Sequence, residues 1–235
     1  MSTVDRCQAL LERLASLANP ENVAGMSRFG INVESAWGIS LPELRRTARE
    51  IGKDHELAAY IWDSGKHEAR ILACLIDDPK KVTDSQMELW VLDFDSWDLC
   101  DQCCSNLFDR TPYAWDKAVE WSERDEEFVK RAGFVLMAAL AVHDKKAADG
   151  RFMAFLPLIR KQASDDRNFV KKAVNWALRQ IGKRNTRLNL FAIEVAEELR
   201  ASKVKSSRWI GSDAFRELTS DKVKKRLERK DISSP

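Results

Sequence analysis

Apolar residues recur every three or four positions along almost the whole chain, the period of an α-helix, and strand-like alternation appears nowhere convincingly. Breakers are scarce, nine Gly and six Pro in 235 residues, and nearly all fall between the periodic stretches. The pattern predicts an all-α chain with helices over 3–18, 21–28, 41–52, 55–64, 66–77, 84–93, 96–108, 113–123, 126–142, 149–163, 166–182, 186–201, 213–219 and 221–229. Asp84, Ser85, Asp95, Asp125, Asp165 and Ser220 stand where a side chain can cap the first free amides. Short connections make successive helices antiparallel neighbours. From about residue 55 the helices pair, and the second members start near 67, 96, 127 and 167. Those intervals suit degenerate HEAT-like hairpins, so the expected architecture is an α-solenoid, an α-α superhelix with an extended concave docking face. A simple helical bundle also satisfies the periodicity. Residues 1–202 are the expected repeat domain and 203–235 a basic cap. A flexible joint is expected around Lys203, Lys205, Ser206 and Ser207, and disorder from Ser233 to Pro235.

Composition narrows the function classes. With 44% apolar and 32% charged residues the chain is globular and needs neither metal nor disulfide to fold. Its longest apolar run, Gly133 to Val142, is about half of the ~20 residues a membrane-crossing helix needs. Asp5 and Arg6 interrupt the start, which does not read as a secretory signal. The five cysteines, an odd number without a spaced framework, suit a reducing compartment, and a cytoplasmic monomer is expected. The net charge of +2 conceals an asymmetry: residues 1–150 hold 18 Lys+Arg against 27 Asp+Glu, and residues 151–235 hold 21 against 10. Such a division favours a polyanion at the C-terminal end. A basic solvated tail would carry the same charges.

Two helices concentrate the informative residues. Along 166–182, Val170, Ala173, Val174, Ala177, Leu178 and Ile181 form one apolar stripe, and Trp176 lies off it. It falls in line with Lys172, Arg179 and Lys183, so one face presents an indole among three cations, suited to a sugar or base with flanking phosphates. A tryptophan packed on the next repeat is the plainer alternative. Along 95–108, Trp97, Asp101, Cys104 and Phe108 share one face, with Leu99, Cys103 and Leu107 on the other. A carboxylate there is costly unless something positive meets it, and Arg131, between Phe128 and Val135, is the candidate. A partly buried ion pair without function fits those residues too.

At this point the sequence resembles the AlkD-like DNA alkylation repair proteins, DNA glycosylases built of HEAT-like repeats. The resemblance covers about residues 18–200 and rests on ANPEN at 18–22, GISLPELRR at 38–46, WD at 62–63, WDLCD at 97–101, KRA at 130–132 and NWALR at 175–179. The family's functional pattern falls on Trp97, Asp101, Arg131, Trp176 and Arg179. The resemblance implies excision of cationic N3- and N7-alkylated purines from duplex DNA, in base excision repair, without deep base flipping. Trp97 and Trp176 would lie on the deoxyribose, and Asp101 would oppose the charge growing on the sugar. Arg131, Arg179, Lys172 and Lys183 would hold phosphates, with no metal or organic cofactor. Where active relatives tend to offer a tyrosine and a glutamine as DNA contacts, this chain has Phe29 and Ser40.

Other chemistry lacks its parts. CxxCC on one helix gives three thiolates at most, with Cys7, Cys74, His55, His67 and His143 scattered, which makes a poor zinc site. Phosphate-cradling glycine loops, HExxH and nucleophile elbows are missing. A non-catalytic binder of altered or branched DNA and a HEAT-like protein scaffold stay open beside the glycosylase.

Overall fold

The computed structural model describes residues 2–233, with side chains through 229, and in that span it contains helices and turns but no strand. Two compact units divide at Pro112 and Tyr113. The first holds α1 (Thr3–Ser16), α2 (Pro20–Arg28), α3 (Leu41–Ile51), α4 (His55–Trp62), α5 (His67–Ile76), α6 (Asp84–Leu92), α7 (Trp97–Asn106) and a 3-10 turn at Phe108–Arg110. In the second are α8 (Ala114–Ser122), α9 (Glu127–His143), α10 (Asp149–Met153), α11 (Leu156–Gln162), α12 (Asn168–Gly182), α13 (Thr186–Arg200), α14 (Lys205–Leu218) and α15 (Asp221–Ser233).

In the first unit α5 packs on α3, α4 and α7. The indoles of Trp62 and Trp90 stack at 3.9 Å with planes 3° apart, and Phe94 and Phe108 close the cluster. Trp62 is 1% exposed and donates from Nε1 to Asp93 at 2.8 Å, so its one polar atom is satisfied inside the core. Cys74, Cys100, Cys103 and Cys104 are fully buried in the same unit. Burial first, then the neighbouring thiols, pushes Cys103 and Cys104 well above the usual thiol range, which makes them inert packing groups.

In the second unit α9 is the centre. Every residue from Val129 to Ala141 is buried, because α8 packs on one side of it and α12 on another. That explains the long apolar run, since a helix apolar all round is a buried helix. On α12 the stripe Val170, Ala173, Val174, Ala177, Leu178 and Ile181 is entirely buried, as its period requires. Each large side chain placed so contributes about 1.5–3 kcal/mol.

Several local expectations are corrected. Thr83, not Asp84 or Ser85, caps α6 by accepting from Gln86 N at 3.1 Å. Asp165 accepts from Arg167 rather than capping α12, and the N-caps of α7 and α9 are Ser96 and Glu126, next to Asp95 and Asp125. Ser220 does receive the Val223 amide, at 3.4 Å. Of the joint expected around residues 203–207, Lys205, Ser206 and Ser207 form the first turn of α14, with Ser206 and Ser207 each 4% exposed. Gly211 is the reason: a Cβ there would lie 2.3 Å from Arg200 N, so only glycine lets α14 sit directly on the end of α13. Of the three residues expected to be disordered, Ser233 ends α15, while 234 and 235 fall outside the described residues.

Candidate functional site

Phe29, Ser40, Trp97 and Asp101 belong to the first unit, and Arg131, Lys172, Trp176, Arg179 and Lys183 to the second. In the first unit the start of α7 is fixed from outside the helix. Ser96 accepts from Asn32 N at 2.8 Å, Asp95 from Asn32 Nδ2 at 2.9 Å, and Trp97 Nε1 donates to Phe29 O at 3.0 Å. The indole is thus locked against the end of α2, half-buried, while Phe29 itself is 73% exposed. One turn further along α7, Asp101 is also half-buried, between fully buried Cys100 and Cys104. Its charge adds to the upward push on the Cys104 thiol, after burial and Cys100.

Glu68 organises the opposite wall. Almost fully buried, it accepts from the amides of Trp37 at 2.8 Å, Gly38 at 2.6 Å and Ile39 at 3.2 Å. Gly38 has φ +79°, and a Cβ there would lie 2.3 Å from Asn19 O, so the loop closes under α2 only with glycine. Ser40, the exposed residue before α3, forms no side-chain cap. Together these elements line an open cavity of about 670 Å³, with Phe29, Ser40 and Trp97 from the expected site and also His67, Glu68 and Asp98. His67 Nε2 lies 2.9 Å from Asp98 Oδ2. Burial works against the imidazolium, but the Asp98 bond and the charges of Asp98, Glu68 and Asp95 outweigh it, so His67 holds its proton above the usual histidine range. His67 and Asp98 were missed in the sequence because they are 31 residues apart and belong to no local pattern.

The second unit sorts the cations. Lys172 is exposed and Trp176 half-buried on the flank of the stripe. Arg131 is 5% exposed, and its Nη1 donates to Phe169 O at 2.6 Å, beside the Phe128 and Phe169 rings stacked at 5.5 Å. That bond ties α9 to the first turn of α12. Arg179 and Lys183 are half-buried and share Glu217 of α14: Arg179 Nη1 takes one oxygen, and Lys183 Nζ takes the other at 2.5 Å. Asp213 lies 3.9 Å from Arg179 Nε and accepts from Asn175 Nδ2 at 2.7 Å. Burial raises the Glu217 carboxyl, but the bonds from Lys183 and Arg179 outweigh it and hold it below the usual range. Asp213 and Glu217 stand one turn apart on α14, a spacing visible in the sequence but hidden there by the basic character of the C-terminal segment.

The profile of a family described as DNA alkylation repair enzyme matches residues 10–218. Two proteins described as uncharacterized, one from Listeria monocytogenes serovar 1/2a and one from Listeria innocua serovar 6a, are each 25% identical over 125 residues, 52% of this chain and 56% of theirs. The chain thus spans about half the length of those curated relatives. A solved structure described as a new family of proteins related to the HEAT-like repeat DNA glycosylases, with affinity for branched DNA structures, matches with TM-score 0.74 at 20% identity, covering 89% of this chain and 94% of that one. The all-helical fold is therefore the HEAT-like repeat fold of that group.

Proposed function

The chain belongs to the DNA alkylation repair enzyme family, and we propose on that premise that it is a DNA glycosylase, acting as a monomer, that excises cationic N3- or N7-alkylated purines from duplex DNA without drawing the base into a deep pocket. The observation that carries the reading is α7, where Trp97 and Asp101 stand half-buried one turn apart on a helix that buries Leu99, Cys100, Cys103 and Cys104 in the core. An indole locked by its own N–H offers a rigid π face to the deoxyribose, and cationic character strengthens that contact. The positive ring leaves as a neutral base with the electron pair of the glycosidic bond, and a water oxygen bonds to C1′ and gives up its proton to the surrounding water. Asp101 opposes the charge that grows on the sugar and orients that water. The base's own charge makes it a leaving group, so the step draws on no metal or organic cofactor.

The second unit carries 27 Lys+Arg against 18 Asp+Glu and the first 12 against 19, so the strand's phosphates belong with the second. Lys172 is the exposed phosphate contact on α12, and Arg179 and Lys183 join when phosphate replaces Glu217. A second reading, binding of branched DNA without excision, is supported by the description of the fold neighbour and by the phenyl and hydroxymethyl groups of Phe29 and Ser40. Incubation of the purified protein with duplex containing N7-methylguanine, scored for free base, separates the two. Release above the spontaneous rate supports excision. Tight binding of a four-way junction with no release leaves the binder.

A further inference from the structure

The first unit is acidic as a whole, with 12 Lys+Arg against 19 Asp+Glu, but Arg45, Arg46, Arg49 and Lys53 cluster on α3 and just after it. The carboxylates beside them are already matched: Arg46 holds Glu43, Arg13 holds Glu50 at 2.7 Å, and Arg6 holds Asp54 at 2.5 Å. Arg45 and Arg49, both exposed and one turn apart, form no ion pair or side-chain hydrogen bond with any described residue. With Lys53 they line an open cavity of about 340 Å³ completed by Ala48, Gly52, Leu75 and Asn106, so the lining holds three cations and no carboxylate. Cations also gather at helix C-termini simply to meet the partial negative charge there, so magnitudes decide. Three such ends reach this cavity: Gly52 caps α3, Leu75 lies in the last turn of α5, and Asn106 ends α7. Each carries about half a negative charge, roughly −1.5 together, which leaves roughly +1.5 of the three cations unmatched. Lys53 serves the helix ends directly, its Nζ donating to Leu75 O at 3.1 Å and Asp77 O at 2.6 Å. Burial, then the charge of Arg110, lowers the Lys53 ammonium from its usual range against the pull of Asp77 and Asp78, so an added anion relieves it. The unmatched charge suits a phosphate group, whose several oxygens accept from guanidinium forks and an ammonium together.

We propose that Arg45, Arg49 and Lys53 form a phosphate-binding site in the first unit, in addition to the cations of α12. Its phosphate belongs to a DNA strand or is free in solution; the first source rests on the DNA-binding reading, and the second does not. The test uses the full chain and a double variant, Arg45→Gln with Arg49→Gln, whose side chains have no partner to lose, with melting curves to show that it is folded. In the first arm inorganic phosphate is titrated at constant ionic strength and amide shifts are followed by NMR. Saturable shifts are expected at Ala48, Gly52, Lys53 and Leu75 of the parent, with at least tenfold weaker binding in the variant. In the second arm anisotropy of a labelled duplex is followed from about 50 to 200 mM salt. Loss of one phosphate contact makes the slope of log affinity against log salt shallower by about 0.9, so the parent should lose about 3.5-fold more affinity than the variant over that range. Lys80→Gln with Lys81→Gln removes the same charge from exposed positions of the same unit outside the cavity, and should change neither readout. An effect in the first arm alone assigns the site to free phosphate, and an effect in the second assigns it to the strand. A folded double variant that matches the parent in both arms overturns the site, as does a lysine control that loses as much as the double variant. Because the first arm contains no DNA, the site can stand where excision and DNA binding fail.

Discussion

Glu217→Gln should tighten DNA binding, and the structure sets how much. Glu217 presents one oxygen to Arg179 and the other to Lys183, so both cations already have an anionic partner on α14. A DNA phosphate must displace that carboxylate before either cation counts as a phosphate contact. Glutamine removes the competing charge while keeping shape and hydrogen-bonding capacity. Each phosphate contact contributes about 0.9 to the slope of log affinity against log salt, so two released cations steepen it by up to ~1.8. Over the fourfold rise from about 50 to 200 mM salt that is a factor of about twelve, and the variant's advantage should shrink by that much. The assay is anisotropy of a labelled duplex across that range, with thermal melts to show that α14 stays docked. An unchanged slope and affinity in a folded variant would refute the idea that Arg179 and Lys183 reach phosphates at all.

Three further expectations follow from single side chains. Lys172→Glu, at an exposed position, should weaken binding to every duplex alike in the same assay; sequence-dependent loss would contradict a phosphate role. Trp176→Ala should cost well under the ~3–5 kcal/mol of a buried indole, whereas Trp62→Ala, 1% exposed, should cost that full amount; equal melting losses would place Trp176 in the core. His67 holds its proton more tightly folded than unfolded, so its contribution to stability is complete below about pH 6.5 and is lost as pH rises through the raised folded value. Denaturant midpoints of the parent against His67→Gln from mildly acid to alkaline pH should converge on the alkaline side, and a constant gap would refute the sign.

What was legible in the sequence was what local spacing determines. The stripe from Val170 to Ile181 is buried as its period requires, and Trp176 lies on its flank, because amphipathicity is a property of one helix. Caps were less legible: around Thr83, Asp84 and Ser85 three neighbouring side chains can all accept an amide, and only the backbone turn selects Thr83. The interior of α14 was lost for a non-local reason, since Gly211 acquires its meaning from Arg200 on another helix. The apolar neighbours of Arg131 at Phe128 and Val135 point to its burial, but its bond to the Phe169 carbonyl, 38 residues away, has no local signal. The cavity followed the same rule, for its polar wall joins His67 to Asp98 across 31 residues.

The central claim is that Asp101 acts on the reacting sugar, and single-turnover excision of N7-methylguanine by Asp101→Asn tests it most directly. Removing the charge that opposes an oxocarbenium-like state while keeping the side chain's shape should reduce release of free base at least ~tenfold, with melting temperature and DNA affinity close to those of the parent. A well-folded Asp101→Asn protein that releases the base at the parent's rate would contradict the account.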